Sequence, residues 1–293
     1  MKIKGYLIIV LLLASLACSL IQPSTATLPT QSAVTEPPAA TEPAFVPLPP
    51  EPQRIEFQAE DGAALVGYYY PASIPNAPVV VLMHWVRGDQ TDWTKVGLVQ
   101  WLQNRGSGGG LNAPAPQTSI YPPMPQGVYF AVFTFDFRGF GESSGMKAQW
   151  TPDLWLLDAE AAYQKAGELP EVDPNRIAGI GSSFGADAVV DTCGDDCLGA
   201  LSLSPGGYLG TPYAEAVAKM EGDADNFLYF QCIATEGDSE AAPACRAASG
   251  DNYKAIIYPG SAHGTALLME PTAPPDIGQV ILDWLLLTFN SQQ

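Results

Sequence analysis

Short, wholly apolar runs recur along this chain and alternate with stretches of helical spacing. The runs at 79–83, 128–135, 177–180, 200–203, 227–234 and 255–258 lack the in-out alternation of a half-wetted strand. That pattern predicts strands buried on both faces of a parallel sheet. Ahead of them, 54–59 and 64–70 flank Glu60-Asp61-Gly62, a hairpin signal. Between the apolar runs, Trp93, Val96, Val99 and Leu102 mark a helix over 91–103, and Leu154, Leu157 and Ala161 mark the inner face of another over 153–166. Helices are also expected over 186–191 and 213–220, and over 275–289 with Ile277, Val280, Ile281, Trp284 and Leu285. Two antiparallel strands followed by strands alternating with helices predict an α/β class and a mostly parallel, eight-stranded sheet flanked by helices. The Gly/Pro-rich stretch 106–126 has no period and reads as a surface insertion at the active-site end. Between Ser204 and Asn226 there is room for one short helix, which excludes a large lid domain there.

The beginning of the chain follows different rules. Lys2 and Lys4 precede an apolar core at 6–16 and the small-residue exit Ser15-Leu16-Ala17, which together predict an export signal over 1–17. The apolar core is shorter than the ~20 residues of a comfortable membrane span. Ser15-Leu16-Ala17-Cys18 resembles the lipobox of bacterial lipoproteins, which implies cleavage before Cys18, lipid on that cysteine and a membrane partner through it. A plain secretory signal or an uncleaved anchor would also leave the domain outside the cytoplasm. Residues 18–53 are rich in Pro, Thr, Ala and Glu and read as an unfolded tether, leaving 54–293 as one α/β domain. The formal net charge of −18 argues against nucleic acid and against anionic membrane faces as charge-driven partners.

Candidate chemistry centres on Gly181-Ser182-Ser183-Phe184-Gly185, a G-x-S-x-G pattern between an apolar run and a helical stretch. A sharp strand-to-helix turn exposes the central serine as a nucleophile, and small residues are needed where backbone approaches backbone. A serine hydroxyl needs a base to take its proton, and that base needs a carboxylate to fix its tautomer. Thr235-Glu236-Gly237-Asp238 follows one apolar run and Gly260-Ser261-Ala262-His263-Gly264-Thr265 follows the last. They supply Asp238 and His263, with Glu236 as the local competitor for the acid. His84-Trp85-Val86-Arg87-Gly88 follows the run at 79–83, and Asp136-Phe137-Arg138-Gly139-Phe140-Gly141-Glu142-Ser143 follows that at 128–135.

The motifs at 136–143, 181–185, 235–238 and 260–265, four in this chain order, resemble the α/β-hydrolase superfamily over nearly all of 54–293. The Gly-Ser-Ala-His-Gly-Thr loop and the missing lid resemble its small dienelactone-hydrolase-like branch most closely. The resemblance implies a Ser183–His263–Asp238 triad, an oxyanion hole from the Phe184 N–H and the loop after 79–83, and a structural role for Asp136 and Arg138. Many relatives carry His-Gly at that loop. Here Trp85 takes the glycine's place, which leaves Trp85 or Val86 as second donor, with Val86 favoured; His84 is a rival base. Dienelactone hydrolases proper use a cysteine nucleophile, so Ser183 points instead to hydrolysis of small carboxylic esters. A peptidase of the same fold and an inactive cell-surface binding protein are the alternatives. The chemistry calls for no metal and no organic cofactor. Trp85, Trp93, Tyr208 and Tyr213 are candidates to line an apolar site or to belong to the core.

With Cys18 set aside, Cys193, Cys197, Cys232 and Cys245 remain, an even count that suggests disulfides in an exported chain. Cys193 with Cys197 and Cys232 with Cys245 is the preferred pairing among three possible ones. With His84 and His263 as the only histidines, the spacing carries no metal signature.

Overall fold

The computed structural model describes residues 46–105, 120–145, 150–194, 197–221, 228–269 and 271–290. The expected signal, Cys18 and most of the tether lie outside them. Eight strands form one sheet: β1 (Gln53–Gln58), β2 (Ala64–Tyr70), β3 (Ala77–Met83), β4 (Ala131–Asp136), β5 (Val172–Ser182), β6 (Gly199–Leu203), β7 (Tyr229–Thr235) and β8 (Tyr253–Tyr258). Their order is β1-β2-β4-β3-β5-β6-β7-β8. β1 pairs with β2 and β2 with β4 antiparallel, and every later pairing is parallel. The helices are α1 (Asp92–Lys95), α2 (Leu98–Gln103), α3 (Pro152–Gly167), α4 (Phe184–Asp191), α5 (Tyr213–Glu221), α6 (Ala241–Ala247) and α7 (Ile277–Asn290).

The continuous apolar runs are explained by the two cores. Along β3, Val79, Val81 and Met83 pack with α3, α4, α5 and α6. Val80 and Leu82 pack with α1, α2 and α7 on the other face. Strands covered on both sides are mostly apolar, and the polar loops sit at their carboxyl ends.

Several elements differ from the sequence reading. The helix expected over 91–103 is two, because Gly97 takes a left-handed φ of 76° between α1 and α2. On α3 the inner stripe is Trp155, Ala159, Ala162 and Ala166; of the three residues expected to face inward, Ala161 is buried and Leu157 packs against the core, while Leu154 is exposed. The helix is turned so that Trp155 meets Phe184, ring centroids 4.9 Å apart, and Asp158 meets Arg138. The described end of the insertion is no surface loop. Ile120 and Tyr121 are buried, Tyr121 stacks on Trp101 at 4.8 Å, and Trp101 Nε1–H donates to the Pro122 carbonyl (2.7 Å). Residues 106–119 lie outside the described residues. The stretch expected to be tether up to Gln53 is docked from Leu48, whose carbonyl accepts from Arg105 (2.6 Å). Between Ser204 and Asn226 the described residues hold α5 alone.

Both expected cysteine pairings are present as disulfides, Cys193–Cys197 and Cys232–Cys245, with Cα–Cα distances of 5.1 and 5.7 Å. The second ties β7 to α6. On α4, Asp187 is buried and accepts the N–H groups of Gly206 (3.0 Å) and Tyr208 (2.5 Å), fixing the segment after β6. Burial pushes its carboxyl up to about 7 against the pull of these N–H groups.

Replacing Cys232 and Cys245 by serine should cost about 3 kcal/mol in the chain-entropy model, more than the shorter Cys193–Cys197 ring contributes. Urea unfolding of the variant beside the parent measures it, and an unchanged midpoint refutes it. For Asp187, a raised native pKa means that the native state holds a proton the unfolded state has lost. Its contribution is therefore present below about pH 4 and is lost as pH rises through about 7. Stability relative to Asp187→Asn should fall over that window. Unfolding curves at both ends of it test the sign.

Candidate active site

β5 ends at Ser182 and α4 begins at Phe184, so Ser183 alone makes the turn, with φ 56° and ψ −122°. A non-glycine residue at positive φ is strained, and such strain clusters at functional positions. The glycines around it are forced by close approach. A Cβ on Gly181 would lie 1.9 Å from the Gly185 carbonyl oxygen, and one on Gly185 would lie 2.4 Å from that of Met83. The start of α4 is thereby pressed against the end of β3 and the loop that follows it.

Asp238 and His263 converge on Ser183 from the ends of β7 and β8. Their loops are laced together: Glu236 N–H donates to the Tyr258 carbonyl (2.8 Å), Gly237 N–H to that of Gly260 (2.8 Å), and Thr235 Oγ1 to that of Ala262 (2.9 Å). His263 Nδ1–H donates to Asp238 Oδ2 at 2.6 Å. That leaves Nε2 to accept the Ser183 hydroxyl at 2.8 Å. Asp238 and Ser183 are buried, whereas the His263 side chain keeps 38% of its exposure, so the site opens to solvent over the imidazole. Burial works to raise the Asp238 pKa, but hydrogen bonds from His263, the Ala241 N–H and Ser204 outweigh it and hold the carboxyl below its ordinary value. Glu236 turns outward to Arg246. The three residues predicted from sequence are brought together, and the rival acid is not among them.

The rival base is excluded by its bonds. His84 is fully buried, its Nδ1–H donates to the Trp85 carbonyl (2.7 Å), and its Nε2 accepts the Phe137 N–H (3.1 Å). Burial lowers its pKa. It is a neutral strut between the loops after β3 and β4, boxed by the rings of Phe137, Phe140 and Phe184. The Trp85 carbonyl also accepts the Gly88 N–H (2.9 Å), and the Trp85 indole donates to Asp92 on α1 (2.8 Å). Trp85 thus staples the loop where a glycine would leave it free. Because the peptide is planar and trans, the Val86 N–H points opposite to the Trp85 carbonyl, in a fixed direction. Among the described residues neither the Val86 nor the Phe184 N–H has an acceptor within the protein, and Phe184 heads α4, where N–H groups have no intrahelical partner.

The remaining motif is structural, as expected. Asp136 accepts the N–H groups of Gln90 (2.8 Å) and Glu142 (2.9 Å), and Arg138 bridges Asp158 (2.7 Å) and Asp61 (2.5 Å). Of the four aromatics, Trp93 and Tyr213 belong to the core. Tyr208 stands edge-on to His263, centroids 6.4 Å apart, and Trp85 belongs to the loop just described. Sequence reasoning missed Asp92, which holds the Trp85 indole, and Asp187, Ser182 and Ser204, polar residues acting through partners distant in the chain. Ser182 Oγ accepts the Thr265 N–H (3.0 Å), fixing the turn after His263. Among the described residues, no group of His, Cys, Asp and Glu is placed to hold a metal.

No protein-family model matches the chain. The uncharacterized protein YfhR of Salmonella typhi is 28% identical over 161 residues, which are 54% of this chain and 46% of YfhR. The chain therefore spans about half the length of that relative. Among solved structures, the Pyrococcus furiosus esterase Pf2001 superposes with a TM-score of 0.55 at 17% identity, covering 82% of this chain and 93% of the esterase. The α/β hydrolase GrgF from Penicillium sp. sh18 gives a TM-score of 0.59 at 14% identity, over 82% of this chain and 99% of GrgF. Sheet order, crossovers and these superpositions together identify the α/β-hydrolase fold.

Proposed function

We propose that this protein is a serine hydrolase that cleaves small carboxylic esters through an acyl-enzyme, of the dienelactone-hydrolase-like type but with serine as nucleophile. One observation carries the reading: an unbroken hydrogen-bond chain from Ser183 through His263 to Asp238, at 2.8 and 2.6 Å. Ser183 Oγ attacks the ester carbonyl carbon while its proton passes to His263 Nε2. Asp238, held below its ordinary pKa, steadies the imidazolium through Nδ1–H. The Phe184 and Val86 N–H groups take the oxyanion, with Val86 aimed by the His84–Trp85 bond. Collapse expels the alcohol, which takes the proton from His263. Water then attacks the acyl-enzyme, with His263 as base, and frees the acid. The esterase superpositions and the open imidazole support a small ester; the Ser15-Leu16-Ala17-Cys18 pattern supports placing the enzyme outside the cytoplasm on a lipid anchor.

The mature domain should hydrolyse p-nitrophenyl acetate. Ser183→Ala and His263→Ala should each lower kcat by roughly 10⁶, and Asp238→Ala by roughly 10⁴. A fluorophosphonate should label the parent and not Ser183→Ala; label at another serine with activity retained sinks the assignment. For the anchor, metabolic labelling with a fatty-acid analogue should mark the N-terminal peptide and vanish in Cys18→Ala. An unlabelled, freely soluble parent is the contrary outcome.

A further inference from the structure

Resting on that reading of the site, we infer that Ser204, at the carboxyl end of β6, is a positioning residue that couples all three members of the triad. It is fully buried and, like Ser183, sits at positive φ (59°) although it is not glycine. Such a conformation persists only where the surroundings enforce it. Here they do so on every side. The Ser204 N–H donates to the Ile233 carbonyl of β7 (2.9 Å), and the preceding carbonyl, that of Leu203, accepts the Ser183 N–H (2.9 Å). The backbone at this point thus joins the nucleophile's strand to the acid's strand.

The strained turn aims the Ser204 hydroxyl at the loop that carries His263. Ser204 Oγ accepts the Gly264 N–H at 3.0 Å, and so holds the residue next to His263. Its own proton remains free to be given, and Ser204 is among the groups that hold the Asp238 carboxyl below its ordinary value. A hydroxyl is suited to this because it accepts and donates at one atom. The Gly264 end of the arrangement is crowded as well: Gly264 has φ 58°, and a Cβ there would lie 2.3 Å from Ser182 Oγ. The His263 loop is therefore located by two serines, and Ser204 is the one also bonded to the strand that carries the acid, through the Ile233 carbonyl. It contacts no substrate and moves no proton in the reaction.

The backbone offers a way to separate positioning from folding. Glycine suits a φ of 59° better than serine does, so Ser204→Gly removes the hydroxyl while relieving the turn. Ser204→Ala removes the hydroxyl and keeps the strain. Both variants, in the full domain with its disulfides, should lose roughly 10- to 100-fold in kcat toward p-nitrophenyl acetate with KM unchanged, since small misplacements of catalytic groups cost rates of this order. Ser204→Gly should keep the parent's melting temperature. The low-field proton resonance of the His263–Asp238 bond should broaden or disappear in both. Full kcat in a folded Ser204→Gly protein, or an unchanged low-field proton in both variants, overturns the proposal. If the parent itself shows no hydrolysis and no fluorophosphonate labelling, the functional reading falls, while the low-field proton still judges Ser204.

Discussion

Everything at this site depends on a serine held in a conformation that serine dislikes. Ser183 turns the chain from the buried end of a strand into a buried helix within one residue, at φ 56°. The space for that turn exists only because Gly181 and Gly185 bring backbone against backbone closer than a Cβ allows. The strain is held in place by the sheet. β5 is central, flanked by β3 and β6, and packs helices on both faces. A central strand is the most costly element to shift, so it is the place where a strained turn can be held open for chemistry.

What the sequence made readable follows from the same arrangement. A parallel sheet needs apolar strands that end abruptly in polar loops, so both strands and chemistry show as discontinuities in the pattern. Ser183, Asp238 and His263 could each be located because each follows such an end. The helices were harder to read. Gly97 breaks one helix by its backbone conformation, which hydrophobic spacing does not encode. The face of α3 is set by Trp155 and by the Arg138–Asp158 pair, a contact between elements that sequence spacing cannot show. Ser204 is the extreme case. It looks like any serine after a strand, and its role is carried by a φ angle and two partners far away in the chain.

Trp85 shows how a departure from a family pattern can be absorbed. A glycine in that loop gives conformational freedom, and tryptophan removes it. The structure replaces freedom with fixation: the indole is tied to Asp92, the carbonyl to His84 and Gly88. The bulky residue is then no obstacle to the proposed oxyanion role of this loop, because its side chain is tied to Asp92 of α1 and its backbone is locked. Preorganised dipoles stabilise charge without reorganising during the reaction, so a stapled loop suits this task.

The acid is fixed by a division of its lone pairs. Asp238 Oδ1 accepts the Ala241 N–H at 3.1 Å, and Oδ2 accepts from His263 at 2.6 Å. The first bond satisfies an N–H at the start of α6, where no intrahelical acceptor exists. The carboxylate therefore cannot rotate without breaking either the helix start or the imidazole bond. α6 is in turn bound to β7 through Cys245 and Cys232. Helix, disulfide and strand form a closed frame around Asp238, and the orientation of His263 is inherited from that frame.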